Sequence, residues 1–295
     1  MSTMRLLAVH AHPDDESSKG GATMARYAAE GHEVMVLTCT GGERGSIINP
    51  AMDKPGVIEN LPQVRAEEMA EAARALGVDH RWLGYEDSGL PEGDPLPPLP
   101  EGCFARLDDA AVAADIVKVI REFRPHVIIT YDENGGYPHP DHLMVHRASM
   151  IAWDKAGDPD WHPELGKAWE PQKLYYTHGF IYQRMELLNK WLEDNGHDSP
   201  FSGVLERWKD GAEDLMQRVT TRVECGDYFA NRDAALRAHR TQIDPDGFFV
   251  IVPSEAQKEI WSTEEFELAS SRVETTLPED DLFAGIEGYE PTKEA

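Results

Sequence analysis

Leu6-Leu7-Ala8-Val9-His10-Ala11-His12-Pro13-Asp14-Asp15-Glu16, continued by Gly20 to Ala29 and then Val34-Met35-Val36-Leu37, is the stretch whose reading decides the fold. Four consecutive apolar residues, Leu6 to Val9, read as a buried strand. Gly20 to Ala29 reads as a helix that ends at Gly31, and Val34 to Leu37 as a second buried strand. The same rhythm recurs downstream. A helix is predicted from Pro62, a favoured first-turn residue, to Leu76, with Gly77 as its stop. His80 to Leu83 is a short third strand, and Ala110 to Phe123 has helical apolar spacing that ends before Pro125. His126-Val127-Ile128-Ile129-Thr130 is a fourth strand and Leu174-Tyr175-Tyr176 a fifth. Strands separated by helices of this length predict an α/β fold, with a doubly wound, mostly parallel, Rossmann-like sheet. Residues 1–180 form the expected core. Residues 181–295, with Trp191, Trp208 and Trp261, are predicted to be mostly helical and packed on it, with an acidic tail from about residue 276 that is sparse in core residues.

Two stretches break the rhythm. Thr40 to Asn60 has no clear period, and Asp87 to Leu107 contains Pro91, Pro95, Pro97, Pro98 and Pro100. Irregular segments of this length in a compact domain usually rim a binding site. The 28 Lys and Arg against 54 Asp and Glu leave a net charge of −26, which repels phosphate backbones and anionic lipids. Neither a nucleic-acid nor a membrane partner is therefore expected. No apolar run approaches the roughly 18 residues of a membrane span, and MSTMRLLAVHAHPDDES has no signal-peptide core, so a cytoplasmic location is expected. Cys39, Cys103 and Cys225 are dispersed and odd in number, which suggests neither a disulfide framework nor a thiolate metal site. The loop after the first strand lacks both GxGxxG and GxxxxGK[ST], and the chain has no Gly-x-Ser-x-Gly elbow. A nucleotide-binding module and a serine hydrolase are disfavoured.

The chemistry sits at two strand ends. The first strand runs into His10-Ala11-His12-Pro13-Asp14-Asp15-Glu16 and the fourth into Tyr131 through His142, which includes Tyr137-Pro138-His139-Pro140-Asp141-His142. In a sheet ordered 3-2-1-4-5, strands 1 and 4 are neighbours where the order reverses, and ligands bind in that crevice. His12 and Asp15, three residues apart across a proline-bent turn, can chelate one ion, and His142 completes a His2Asp set with a position left open. Such a set suits catalytic zinc and also accepts iron. Asp14 lies beside a ligand but faces away from it, as a general base would. Tyr137 and His139 are suited to polarise a carbonyl or protonate a leaving amine. Asp141 would orient a ligand histidine, whereas His10 reads as a strand-end histidine rather than a fourth ligand. Gly41-Gly42-Glu43-Arg44-Gly45 after the second strand suits a phosphate cradle or a plain turn.

Ala11-His12-Pro13-Asp14-Asp15 with His139-Pro140-Asp141-His142 resembles the LmbE-like, or PIG-L, family of zinc-dependent N-deacetylases. His12 to Gly20, Thr40 to Gly45, Tyr131 to His142, Ala234 to Asp244 and Leu282 to Gly285 are similar to the branch that cleaves mycothiol S-conjugates, so the likeness spans nearly the whole chain. That resemblance implies hydrolysis of the amide of a small thiol-sugar conjugate to a mercapturic acid and glucosaminyl-inositol. It also implies zinc on His12, Asp15 and His142, Asp14 as base, His139 as acid or electrostatic partner, and Tyr137 at the oxyanion. Arg65 and Asp87 would bind the sugar-inositol part, Glu43 would be a further substrate contact, and Lys19 would touch the acyl half. The alternatives are deacetylation of N-acetylglucosaminyl-inositol or another N-acetyl sugar and, from another class, a non-catalytic sugar- or metal-binding module. The oligomeric state is not legible in the sequence.

Overall fold

The computed structural model describes residues 2–209 and 214–291. In chain order the elements are β1 (Arg5–His10), the single turn α1 (Asp15–Ser18), α2 (Gly21–Ala29), β2 (Glu33–Thr40), α3 (Pro55–Ile58), α4 (Leu61–Leu76), β3 (Asp79–Tyr85), α5 (Asp109–Phe123), β4 (Val127–Thr130) and α6 (Pro140–Lys155). β5 (Lys173–His178), α7 (Tyr182–Asp194), α8 (Ser202–Lys209), β6 (Thr221–Glu224), α9 (Phe229–Ala238), α10 (Ser254–Ile260) and β7 (Thr263–Ser271) follow.

The seven strands form one sheet in the order β3-β2-β1-β4-β5-β7-β6. β1 to β5 are parallel, and the register that sets Ala8 opposite Ile129 brings the ends of β1 and β4 side by side. The core strands are apolar on both faces because helices cover both. Leu7, Val9, Leu37 and Ile128 pack with α5 and α6 on one face. Leu6, Ala8, Val36 and Ile129 pack with α2 and α4 on the other. This arrangement matches the expected α/β class and places the topological switch point between β1 and β4.

The C-terminal part differs from the helical addition that was expected. β7 pairs antiparallel with β5, and β6 pairs antiparallel with β7, so 181–295 lengthens the central sheet as well as supplying helices. Charge hides β7 in the sequence: Glu264 and Glu265 are both buried. The Glu264 carboxylate accepts the backbone N–H groups of Ala22 and Thr23 at the start of α2 (3.2 and 2.8 Å), where an anion is favoured. Nor is the acidic tail sparse in core residues, since Leu282, Phe283 and Ile286 are buried beside Tyr27 and Tyr175. Its carboxylates meet buried donors. Lys173 Nζ donates to Glu279 Oε1 (2.5 Å), Tyr175 Oη to Glu279 Oε2 (2.7 Å) and Tyr27 Oη to Asp281 Oδ1 (2.9 Å). Among the described residues no helix is long and apolar enough to cross a membrane.

Candidate active site

At the carboxyl end of β1 the chain bends through Pro13 into α1, while β4 runs into a loop that ends at the start of α6. His12, Asp15 and His142 meet there. His142 Nε2 lies 3.3 Å from His12 Nδ1 and 3.4 Å from Asp15 Oδ2, and His12 Nδ1 lies 3.6 Å from the same oxygen. Donors held at about 2.0–2.2 Å from a tetrahedral ion stand roughly 3.3–3.6 Å from one another, so the three atoms are spaced to hold one divalent cation.

The surrounding hydrogen bonds show which lone pairs are free. His142 Nδ1 donates to Gly135 O (2.8 Å) and His12 Nε2 to Asp141 Oδ2 (3.2 Å), which leaves His142 Nε2 and His12 Nδ1 as acceptors aimed at Asp15. Burial alone would raise the Asp15 carboxyl, yet Lys19, His142 and His12 hold it well below the usual carboxylate range. Once His12 gives up the proton on Nδ1, two imidazole lone pairs and a carboxylate oxygen converge on one point, an arrangement suited to a cation. Burial pushes the His12 imidazole down, but Asp141, Asp87 and Asp15 together lift it to about 10. A cation that loads the site must therefore displace a proton from His12.

Tyr131, the first residue after β4, is a site residue that the sequence reading did not single out. Its ring stacks on His142 with centroids 4.3 Å apart and 7° between planes, and its hydroxyl donates to Asp15 Oδ2 at 2.7 Å. Ala11 N–H donates to the same hydroxyl (2.7 Å). The signal that could have exposed Tyr131 was the adjacency of β1 and β4. Close packing also explains one glycine: a Cβ on Gly135, whose φ is +72°, would come within 2.8 Å of the His142 Cβ.

Asp14 points the other way, into an open cleft of about 260 Å³ that is also lined by His12, Arg65, Asp87, Tyr137 and His139. Its backbone, at φ 120° and ψ −25°, is in a region that a residue with a side chain rarely adopts, at a cost of roughly 1–3 kcal/mol. Burial raises the Asp14 carboxyl, and Asp15 adds to this while Arg65 opposes it. A carboxylate with raised affinity for a proton, facing the cleft, is suited to be a base.

His139 caps α6. Its Nδ1 accepts the Asp141 N–H (3.1 Å), which leaves Nε2–H of the neutral ring as a donor. Burial, followed by repulsion from His12, lowers it to about 4. Tyr137 stands with its ring edge-on to His142 (4.6 Å), and burial and the nearby carboxylates push its hydroxyl up, so it stays a donor.

The remaining candidates divide by position. Asp87 lines the cleft and is held by the N–H groups of Arg44 (2.9 Å) and Gly89 (2.8 Å). Arg65 lines it too, but its guanidinium is committed to the Pro13 carbonyl (2.6 Å) and the Gly42 carbonyl (2.5 Å). A Cβ on Gly42 would collide with that guanidinium at 2.0 Å, so the glycine loop after β2 makes room for Arg65. Glu43 accepts the Asp87 N–H (2.8 Å) and braces the cleft wall. The Lys19 ammonium donates to Asp15 Oδ1 (2.5 Å), on the side of that carboxylate away from the three converging lone pairs. His10 takes no part. Its ring is buried with neither nitrogen bonded among the described residues, and burial lowers it to about 4.

Known proteins share this architecture. The chain is 58% identical over 286 residues to the mycothiol S-conjugate amidase of Streptomyces coelicolor, covering 96% of this chain and 97% of that one. It is 42% identical over 301 residues to the 1D-myo-inositol 2-acetamido-2-deoxy-alpha-D-glucopyranoside deacetylase of Geodermatophilus obscurus, covering 96% and 98%. The solved structure of GalB, the 4-carboxy-2-hydroxymuconate hydratase of Pseudomonas putida, superposes with a TM-score of 0.62 at 18% identity, over 93% of this chain and 100% of that one. That likeness concerns the fold alone, and the different chemistry in its name shows why the site had to be read residue by residue. The sequence pattern of the PIG-L family, described as GlcNAc-PI de-N-acetylase, matches residues 7–153, the stretch that carries His12, Asp14, Asp15, His139 and His142. With that match and relatives this similar along almost its whole length, the chain belongs to the PIG-L family.

Proposed function

We propose that the chain is a zinc-dependent amide hydrolase acting on mycothiol S-conjugates, which it splits into a mercapturic acid and glucosaminyl-inositol. The observation that carries the hydrolase reading is the convergence of His12 Nδ1, Asp15 Oδ2 and His142 Nε2 beside a cleft into which Asp14 points. The choice of amide rests on the 58% identity to the Streptomyces coelicolor amidase.

His12, Asp15 and His142 would hold the ion, which when bound supplies a Lewis acid for the amide carbonyl and makes a neighbouring water more acidic. Asp14 takes the proton of the attacking water on its carboxylate and can pass it to the leaving amine. Tyr137 Oη and His139 Nε2–H donate into the cleft, where negative charge grows on the carbonyl oxygen. Asp141 keeps His12 in the tautomer that presents Nδ1. Asp87 offers its carboxylate to sugar or inositol hydroxyls, and the Lys19 ammonium stands beside the ligand carboxylate on the acyl side.

The second reading, deacetylation of N-acetylglucosaminyl-inositol, is favoured by the 42% identity to the Geodermatophilus obscurus deacetylase. Turnover of an S-conjugate and of the acetylated sugar, measured side by side, separates the two. We expect kcat/KM at least about tenfold higher for the conjugate, equal to about 1.4 kcal/mol in transition-state binding. A preference for the acetyl sugar would replace the first reading with the second.

A further inference from the structure

The strained backbone of Asp14 is held by Glu16, two residues on, and by groups distant in sequence. The peptide between Pro13 and Asp14 is gripped at both ends: its carbonyl accepts from Arg65 Nη2 at 2.6 Å, and its N–H donates to Glu16 Oε2 at 2.9 Å. The orientation of that peptide plane sets φ of Asp14 and so directs its side chain toward the cleft. Glu16 is fully buried, and its second oxygen accepts from Ser17 Oγ and from His239 Nε2, the latter at 2.7 Å. His239, also fully buried, ends α9, 223 residues further along the chain.

The brace closes on itself. Two residues after His239, the N–H and hydroxyl of Thr241 donate to the two carboxylate oxygens of Glu68 (3.0 and 2.7 Å), and Glu68 is on α4, one turn beyond Arg65. From α4 the path runs through Arg65 to the Pro13 carbonyl, and back through Glu68, Thr241, His239 and Glu16 to the Asp14 N–H. Of these residues only Asp14 itself and Arg65 line the cleft. We propose that Glu16 and His239 are positioning residues for the reaction, and that they hold Asp14 in its strained backbone conformation so that its carboxylate meets the attacking water. The inference rests on the reading of Asp14 as the base.

The test is a double-mutant cycle on the metal-loaded, full-length protein. Glu16→Ala removes the acceptor of the Asp14 N–H. It should lower kcat at least about tenfold while KM stays within about twofold and the metal content is unchanged. Glu16→Gln should restore most of the rate. Its amide oxygen can accept from Asp14, and His239 can move its proton to Nδ1, which has no partner among the described residues. His239→Ala should fall between the two and His239→Gln should recover. If Glu16→Ala does not accumulate as folded protein, Glu16→Met keeps the volume without the acceptor and is measured in its place. The deciding comparison is made in the Asp14→Asn background, where Glu16→Ala should cost no further rate. An equal loss with and without Asp14, or loss of metal in Glu16→Ala, overturns the positioning role while leaving Asp14 as base. Near-normal turnover in Asp14→Asn alone overturns the base assignment itself, and the two failures are thereby told apart.

Discussion

The floor of the cleft and its mouth are built on opposite plans. At the floor, His12, Asp15 and His142 are nearly inaccessible, and each is fixed by a further partner: Asp141 for His12, Tyr131 and Lys19 for Asp15, and Gly135 for His142. At the mouth, Ile48 and Leu90 are 57% and 52% exposed, and both stand on irregular segments rather than on strands or helices. The floor spends its surroundings on holding lone pairs in place, which serves any amide that reaches it. The mouth sets exposed Ile48 and Leu90 among Arg44, Ser46 and Glu92, where a variable group can meet them. The proposed function would thus divide reactivity and selectivity between separate sets of residues.

The largest effect should come from the floor. His142→Ala removes one of three donors, and metal per chain, measured by elemental analysis, should fall from about one to a small fraction, taking turnover with it. Full occupancy in that variant would strike His142 from the ligand set. Next is Asp14→Asn, which should keep its metal and lose roughly 10²–10⁴-fold in turnover, the scale of general-base catalysis. Asp141→Asn tests the layer behind the ligands. It weakens the acceptor for His12 Nε2–H, and metal affinity should drop roughly 10–100-fold in a competition titration with a chelator. Unchanged affinity would mean that His12 orients itself. The smallest effect belongs to the mouth. Ile48→Ser and Leu90→Ser should each lower kcat/KM for a conjugate with a bulky apolar S-substituent about fivefold, from about 1 kcal/mol of lost apolar burial. The acetyl sugar should not respond. A matching loss on both substrates would merge the two regions that the comparison separates.

The sequence made the floor far more legible than its supports. β1, β2, β4 and β5 each carry a short apolar run that is buried on both faces of the sheet. The cluster was readable because His12 and Asp15 lie in one turn and the strand order brings His142 to them. β7 was not readable, since Thr263-Glu264-Glu265-Phe266-Glu267 buries two carboxylates that look like surface charge until their partners on α2, Trp261 and Thr263 are known. The pairing of Glu16 with His239 leaves no local trace, because it depends on where α9 ends in space. Lys19 was readable as a candidate, but not as a donor to the Asp15 carboxylate.

The buried tail also has a consequence in time. Ribosomes deliver the chain from its N-terminus, so Thr130 at the end of β4 precedes Phe283 by about 150 residues, or roughly 10–30 seconds of synthesis. Until then Tyr27 lacks Asp281, and Lys173 and Tyr175 lack Glu279. The five parallel strands are complete well before the layer that satisfies their neighbours is made. His239, which reaches Glu16 beneath Asp14, also arrives late. A chain made only as far as His142 thus carries the proposed ligands and the proposed base, yet lacks the parts that seat them, so hydrolytic competence is expected only after His239, Glu279 and Asp281 have been made.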